Sequence, residues 1–585
     1  MIRSICLWWG KKPVTLLLLL MAFLSLTVPV SAQRGKKDVK VDSLQERKSI
    51  QARTEFFNAI KEKNIGQLDE AVNGFRKSVA LDPENDAAYY EIARIMVSKG
   101  NLIGALENAK KALAINKDNL YYKSLNADIN LQLGKTKDAL KIYQSIIEQD
   151  KENIDAYLAI ASIYEAQKNY NEANKYYSLV ERQTGVVYEI LQQKINNYIT
   201  ARNFSQAIDE LKKLIESYPD EYQFQEILAD LYGYNNQPEL AVSTLNNILK
   251  QSPNYGNANL KLAKISIAQN KITESIQYAK TAFSNSEISI DLKMELMFIY
   301  FELSNQKKDI LTDLEELGQL ISLSHPSDAK GYAVWGDVLN SNGKYAEARN
   351  QYKKAVKIAA DKQLIWQEIV SIDSRLSMID SIIVDSQQGI DLFPSIPFFY
   401  YFNAIGHLQQ KHYQEATQSL EAGLALVVDN DQLAQQFYAA LGDCFNGLKD
   451  YKKSDENYEK ALKINPNDTY VLNNYSYFLS LREEKLERAK EMAELVNKLE
   501  PNQPNYQDTY AWVLFKLKKY EEAKTWLQKA IDSGGNSSEM LEHYGDIQYV
   551  LGNVSLALEY WTKAKNTGET SPDLEKKILE KRLPE

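Results

Sequence analysis

The chain contains few of the residues on which catalysis, metal binding and disulfide bonding usually depend. Its 585 residues include only 2 cysteines and 4 histidines. Two cysteines in so long a chain exclude a disulfide framework. No glycine-rich phosphate loop, G-x-S-x-G motif or C-x-x-C pair occurs, and these motifs mark familiar classes of active and cofactor sites. The sequence therefore predicts no enzyme, no cofactor and no metal site.

The few histidines and cysteines that do occur form no recognisable set of ligands. His407 and His412 are five residues apart, whereas two metal ligands on one helix face need a spacing of four. We interpret them, together with His325 and His543, as ordinary surface or packing residues. Cys444 has no basic residue beside it that would lower the pKa of its thiol. We interpret Cys444 as a small apolar core residue.

Regular alternation of apolar and polar residues, which is the pattern of a half-buried strand, is also missing. Glycine and proline, at 24 and 14 residues, are sparse for a chain of this length. Leu, Ala, Lys and Glu, which favour helices, are abundant instead. These features predict an all-α protein.

A repeat of 34 residues dominates the sequence. Most copies have small residues at positions that we number 8 and 20, large residues at 11 and 24, and often a proline near 32. Among the first seven copies, Ile195 at position 8 is the one exception to the small residues. Position 8 is Ala59, Ala93, Ala127, Ala161, Ile195, Ala229 and Ala263, and position 20 is Ala71, Ala105, Ala139, Ala173, Ala207, Ala241 and Ser275. Two helices can cross closely only where their side chains are small, so each copy predicts a pair of packed helices. One pair cannot bury its apolar face, but stacked pairs can.

This period and these positions resemble the tetratricopeptide repeat family. The resemblance implies an all-α, right-handed α-solenoid of about fifteen helix-turn-helix repeats with a C-terminal capping helix. Later copies of position 20 fall at Ala348, Ile382, Ala416, Ser454, Ala489, Ala523 and Ala557. Extra residues near 305–308 and 427–432 interrupt the period.

The interruptions and the two ends divide the chain into six predicted segments. These are a signal peptide (1–32), a flexible leader (33–51), a first repeat lobe (52–290), a degenerate repeat with an insertion (291–328), a second repeat lobe (329–566) and a C-terminal capping helix (567–585). In the capping helix, Leu574, Ile578 and Leu579 should form one apolar side that covers the last repeat.

The first 32 residues have the pattern of a secretory signal. Arg3, Lys11 and Lys12 precede a leucine-rich run over 14–30, and small residues follow at the expected cleavage point. We expect export to the periplasm or to the periphery of the outer membrane, with no membrane-spanning segment after cleavage. An uncleaved anchor is the alternative. Ser43 lies in an Asp-Ser-Leu sequence that resembles a bacterial O-glycosylation sequence, with an unmodified linker as the alternative.

Acidic residues outnumber basic ones, 78 to 69. Cleavage after Ala32 would remove three basic residues and leave 66 against 78, a net charge of −12. This charge argues against nucleic acid and anionic membrane surfaces as partners.

By the same resemblance, positions 2, 5, 9 and 12 of each first helix line the concave groove of the solenoid. Acidic residues recur at positions 5 and 9, and we call this set the acidic ladder: Asp128, Glu226, Asp230, Asp337, Asp443, Asp508, Glu542 and Asp546. Such carboxylates would attract basic segments of a protein or peptide partner. The alternative is that they are ordinary solvated helix positions.

Aromatic residues occupy further groove positions. Phe398, Tyr401, Trp512 and Phe515 stand where many copies carry polar residues, and aromatic side chains often dominate the binding energy of protein interfaces. Core packing is the alternative, above all for Phe398 and Tyr401. If exposed, these rings would also suit stacking against a glycan.

Together these observations predict a non-catalytic scaffold that binds a protein or peptide in its groove, within a larger assembly of the bacterial cell envelope. A glycan-binding envelope protein is the alternative, and an enzyme is the least favoured. By resemblance, Lys at position 5 with Asn at position 9 marks family members that grip the carboxyl terminus of a chaperone. No copy here has that pair.

Overall fold

The computed structural model describes residues 44–568 and 571–584. Within these ranges all regular secondary structure is helical, which confirms the all-α prediction. The predicted signal peptide and Ser43 lie outside the described residues, as does the first part of the predicted leader.

The helices are numbered in chain order. The first fourteen are α1 (Leu44–Asn64), α2 (Leu68–Leu81), α3 (Asp86–Ser98), α4 (Leu102–Ile115), α5 (Leu120–Gln132), α6 (Thr136–Gln149), α7 (Ile154–Ala166), α8 (Tyr170–Thr184), α9 (Tyr188–Thr200), α10 (Phe204–Ser217), α11 (Tyr222–Tyr234), α12 (Pro238–Gln251), α13 (Gly256–Ala268) and α14 (Ile272–Ser284).

A short 3-10 helix, Lys308–Ile310, lies between the next two helices, where the sequence predicted an insertion. The remaining helices are α15 (Ile290–Ser304), α16 (Leu311–Ser324), α17 (Ala329–Ser341), α18 (Tyr345–Ile358), α19 (Gln363–Arg375), α20 (Ile379–Leu392), α21 (Pro397–Gln409), α22 (Tyr413–Leu424), α23 (Asp431–Gly447), α24 (Tyr451–Ile464), α25 (Thr469–Arg482), α26 (Leu486–Leu499), α27 (Pro504–Lys516), α28 (Tyr520–Asp532), α29 (Ser538–Val550), α30 (Val554–Thr567) and α31 (Leu574–Glu580).

Odd-numbered helices from α1 to α29 are the first helices of fifteen pairs, each followed by its even-numbered second helix, and α31 follows the last pair. The predicted α-solenoid of about fifteen repeats is confirmed. The described residues separate into two compact units, and the division lies between Tyr278 and Ala279. The division falls within α14, shortly before residue 290, where the sequence predicted that the first lobe ends.

Asparagine side chains begin several of the first helices. Those of Asn85, Asn119 and Asn153 accept hydrogen bonds from backbone N–H groups in the first turns of α3, α5 and α7. Such caps satisfy donors that a helix leaves unpaired and typically contribute about 1 kcal/mol each. The 34-residue spacing of the helices is therefore reinforced by local hydrogen bonding.

A residue in the left-handed conformation separates the two helices of many pairs. Gly66, Gly100 and Gly134 have φ angles of 83°, 75° and 74°, and glycine adopts this conformation readily at the end of a helix. Lys168 and Arg202 take the equivalent position in the next pairs, with φ angles of 59° and 57°. Since their Cβ atoms make this conformation costly, helix packing must hold the turn there.

The small residues lie where helices pack closely. Ala71, Ala105 and Ala139 are fully buried, which confirms the register of the repeat. A Cβ atom added to Gly442 would lie 2.6 Å from Cε1 of Tyr458. A small residue on the first helix thus makes room for a large ring on the second helix at interior density.

The two ends differ from the sequence predictions. Helix α1 begins at Leu44, inside the predicted leader, because residues that favour helices sustain it without an apolar stripe. In α31, Leu574 is fully buried but Leu579 is 81% exposed, so the predicted apolar side was wrong for Leu579. Lys577 of the same helix is buried instead of Leu579.

Candidate functional site

A cavity of about 540 Å³ lies in the second unit, among residues of α21 and α23, the end of α24, the loop after it and the start of α25. Its lining comprises the amide side chains Gln432, Gln435, Gln436 and Asn465, the carboxylates Asp443 and Asp468, the phenols Tyr401 and Tyr470, and the apolar residues Ile405, Ala439, Ala440 and Ile464. We call this space the α23 cavity. It brings together Tyr401 and Asp443, two predicted groove residues that are 42 positions apart in the sequence.

The sequence of α23 explains why a cavity forms beside it. Gln432, Gln436, Ala439 and Asp443 recur at spacings of three and four, so they share one face of the helix. The face begins with the long side chains of Gln432 and Gln436 and ends with the shorter Asp443, and Ala439 lies between them. Because alanine carries a single methyl group, the middle of the face leaves space that no neighbouring side chain fills.

Asp443 is the central carboxylate of the α23 cavity. Its Oδ1 accepts hydrogen bonds from the hydroxyl of Tyr458 at 2.5 Å and the amide of Asn474 at 3.4 Å, and its Oδ2 accepts one from the hydroxyl of Tyr470 at 2.6 Å. Burial raises the pKa of Asp443, and these hydrogen bonds only partly offset that effect. All three donors are neutral.

Asp468 is the second carboxylate, and it also begins a helix. Its Oδ1 accepts the backbone N–H of Val471 at 2.9 Å, which caps α25, and its Oδ2 accepts the amide of Gln435 at 2.9 Å. Among the described residues, neither Asp443 nor Asp468 forms an ion pair with a lysine, arginine or histidine.

A second group of acidic residues lies near the C-terminal end of the same unit, in α29. Lys577 of α31 lies 2.8 Å from Glu542 and 2.7 Å from Asp546, and the indole N–H of Trp561 also donates to Asp546 at 2.8 Å. All three charged side chains are nearly buried. Burial alone would lower the pKa of Lys577, but Asp546 and Glu542 outweigh that effect and raise it.

Asp508 of α27 has an internal partner as well. Nδ1 of His543 lies 3.0 Å from its Oδ1, and both side chains are nearly buried. Burial alone would lower the pKa of His543, but Asp508, followed by Glu539 and Asp546, outweighs that effect and raises it. From the sequence we interpreted His543 as an ordinary residue. Its carboxylate partner lies 35 positions earlier, so no local pattern indicates the pair.

Trp512 is not an exposed binding platform. It is only 7% exposed, and the ring of His543 stacks on it with centroids 3.8 Å apart, while the ring of Phe515 lies 4.8 Å away. The packing alternative therefore holds for Trp512. Phe398 also packs against other rings, those of Phe399 and Phe402, and lies in an apolar cluster.

The other members of the acidic ladder are each bonded inside their own unit. Asp128 and Asp337 accept hydrogen bonds from Tyr143 and Tyr352, fifteen residues later, as Asp443 does from Tyr458. Glu226 accepts from Tyr255 at 2.5 Å and Asn257 at 3.3 Å, and Asp230 forms an ion pair with Lys261 at 2.6 Å. Position 9 of the repeat thus has an internal hydrogen-bonding role.

Several groups at these sites were not predicted from the sequence. The three glutamines and Asn465 of the α23 cavity, Tyr470 beside Asp443, and Lys577 beside Asp546 are examples. Among these residues, only the glutamines could have been predicted from the sequence, because they share the helical spacing of Asp443. The others lie beyond the pair that contains Asp443 or Asp546: Asn465 in the loop before α25, Tyr470 on α25 and Lys577 on α31.

Other chemistry is limited in the part of the chain that the structure describes. Burial raises the pKa of the Cys444 thiol to about 12, as suits a packing residue. No three His, Cys, Asp or Glu side chains there are grouped so that they could hold a metal ion. None of the helices there has both the length and the apolar character needed to cross a bilayer.

Stacked pairs of helices in this order define a helical-repeat protein. Models of the family described as Tetratricopeptide repeat match residues 130–185, 329–362, 435–468 and 506–533, and the third of these matches includes much of the α23 cavity. The chain is a multi-repeat tetratricopeptide repeat protein.

The chain resembles two curated proteins at low identity. It is 21% identical to the TPR repeat-containing protein MJ1428 of Methanocaldococcus jannaschii over 71% of this chain and 70% of that protein. It is 27% identical to the type IV pilus assembly protein PilF of Pseudomonas aeruginosa over 25% of this chain and 56% of that protein.

Among solved structures, a tetratricopeptide repeat protein from Parabacteroides merdae is 20% identical and aligns with a TM-score of 0.28. The alignment covers 42% of this chain and 99% of that one.

Proposed function

We propose that this protein is a non-catalytic scaffold that binds a protein or extended peptide partner with basic segments along the faces of its first helices. Tetratricopeptide repeat proteins are protein-interaction scaffolds. We also place it in the bacterial cell envelope, within a larger assembly. The amino-terminal sequence pattern supports that location, and the partial similarity to a protein named for pilus assembly is in keeping with it.

The observation that carries the proposal is the α23 cavity. Its volume falls in the range of about 300–1,000 Å³ that is usual for ligand sites, and its lining combines amides, phenols and carboxylates. Gln432 and Gln436 are exposed at its edge. Because amide side chains both donate and accept hydrogen bonds, they can pair with a peptide backbone.

Site-specific photocrosslinking in living cells tests the proposal. A benzophenone amino acid at Gln432 should give a discrete adduct with a partner protein. The same group at Glu456, exposed on the second helix α24, should give none. Adding Gln436→Trp should fill the edge of the cavity and abolish the Gln432 adduct.

Equal adducts from both positions, or a Gln432 adduct that survives Gln436→Trp, would contradict binding at this cavity. Fractionation of the same cells tests the location, and recovery of the protein with cytosolic markers would refute the envelope assignment. Unchanged circular dichroism of each variant controls for folding.

A further inference from the structure

The α23 cavity differs in its charge balance from the acidic site at Glu542 and Asp546. Both of its charged lining residues, Asp443 and Asp468, are carboxylates. Their hydrogen-bond donors are phenols, amides and a backbone N–H, which carry no charge. The cavity lining therefore holds negative charge that no cation of the lining compensates.

Two other acidic sites have a cation supplied by the chain itself. Lys577 lies between Glu542 and Asp546, and Lys261 pairs with Asp230. The contrast matters because a carboxylate withdrawn from water is stabilised by a close positive charge. A ligand that enters the α23 cavity can supply the cation that the chain does not.

Both carboxylates can accept a further hydrogen bond. A carboxylate oxygen can accept two hydrogen bonds. Oδ2 of Asp443 receives one, from Tyr470, and Oδ2 of Asp468 receives one, from Gln435. Each Oδ2 can thus accept a hydrogen bond from an ammonium or guanidinium group, and such charge-assisted bonds are the stronger kind.

The aromatic part of the lining suits the same group. Tyr401 and Tyr470 both line the cavity, and the Tyr470 side chain is 51% exposed. The face of a phenol ring attracts lysine and arginine side chains. The long carbon chain of either residue can pack on a ring while its charged end reaches the carboxylates.

We propose that the α23 cavity binds a lysine or arginine side chain of an extended peptide segment, with its charged end at Asp443 and Asp468 and the flanking backbone against Gln432 and Gln436. This inference rests on the proposed function and names the chemistry of its partner. A neutral glycan would hydrogen-bond to the same amides but would leave both carboxylates uncompensated.

Selection from a phage-displayed library of random twelve-residue peptides on the purified chain tests the inference. Selected peptides should share a lysine or arginine. A synthetic copy of one such peptide is then compared with its acetyl-lysine or citrulline form, which keeps most of the shape and removes the charge. We expect at least about a tenfold loss of affinity, since a hydrogen bond to a charged group contributes that much or more.

The double variant Asp443→Asn, Asp468→Asn makes the test specific to the cavity. Asparagine still caps a helix, so α25 should persist. In this variant the charged and neutral peptides should bind about equally. The matched control, Asp361→Asn with Asp391→Asn, removes two exposed charges from the same unit and should retain the full preference for the charged peptide.

The outcomes separate the inference from the proposed function. If peptides are selected but neutralising their basic residue changes nothing, the basic side chain inference is wrong and peptide binding stands. If the control variant loses the preference as much as the cavity variant, general charge attraction explains it and the inference is again wrong. If no peptide is selected, or only neutral oligosaccharides bind, the proposed function fails as well.

Discussion

Asp443 of α23 and Asp546 of α29 occupy the same position of their repeats, yet their surroundings differ in charge. Each accepts a hydrogen bond from an aromatic side chain fifteen residues later, Tyr458 or Trp561. Asp546 also has the ammonium of Lys577 within 2.7 Å. Asp443 instead accepts a hydrogen bond from the neutral hydroxyl of Tyr470 and lines an open cavity.

The comparison shows that the contacts of a carboxylate at position 9 come from two sources. Its own repeat supplies an aromatic hydrogen-bond donor, and the adjoining repeat supplies either a cation or a neutral donor. The bond to the aromatic residue is internal to a pair and recurs along the chain. The cation comes from the first helix after the pair, as Lys577 of α31 does, and its presence varies with the sequence of that helix. Under the proposal above, a surface for a partner arises where the next repeat supplies no cation to the carboxylate at position 9.

Removing the internal cation should have the largest effect. Lys577→Met leaves Glu542 and Asp546 nearly buried without their partner, and such a loss typically costs about 3–5 kcal/mol. Hydrogen exchange should become much faster in α29 to α31. Adding Glu542→Gln and Asp546→Asn should restore most of the protection. Unchanged exchange in Lys577→Met would contradict the proposed role of the ion pairs.

The close packing that both sites share gives the next prediction. Gly442→Ala places a Cβ atom 2.6 Å from the Tyr458 ring, and such overpacking costs about 1–3 kcal/mol. Gly233→Ala is the matched control, since nothing lies within 4 Å of a Cβ there, and alanine in a helix should stabilise it by about 0.5–1 kcal/mol. Urea unfolding measures both. Equal midpoints for the two variants would refute the packing argument.

The dependence of stability on pH should show the smallest effect, but one that distinguishes His543 from Asp443. The pKa of His543 is raised in the folded protein above its ordinary value of 6.5, so its stabilising contribution is full below 6.5 and is lost as pH rises through the folded value. The pKa of Asp443 is raised above 3.8, so its carboxylate opposes folding at higher pH. That cost disappears as pH falls through the folded value towards 3.8.

Melting temperature as a function of pH checks both halves of this prediction. His543→Gln should flatten the profile only in the upper window, and Asp443→Asn only in the lower one. Profiles that keep the wild-type slope in both windows would show that neither group is perturbed.

Much of the fold could be predicted from spacing alone. Small residues at positions 8 and 20 identified the helix pairs, because these positions depend on contacts inside one repeat. The candidate site was predicted less well. Tyr401 and Asp443 were found from their repeat positions, but Trp512 was expected on the surface and is buried beneath His543.

The sequence by itself determined the fifteen pairs of helices, since a 34-residue period with small residues at two fixed positions is compatible with little else. Only the tertiary structure decided which carboxylates have cations, which rings are covered and where a cavity opens. The physical reason is distance along the chain. The partners of Asp443, Asp508 and Asp546 from adjoining repeats lie 27 to 35 residues later, and the way successive helices pack determines which of those side chains meet.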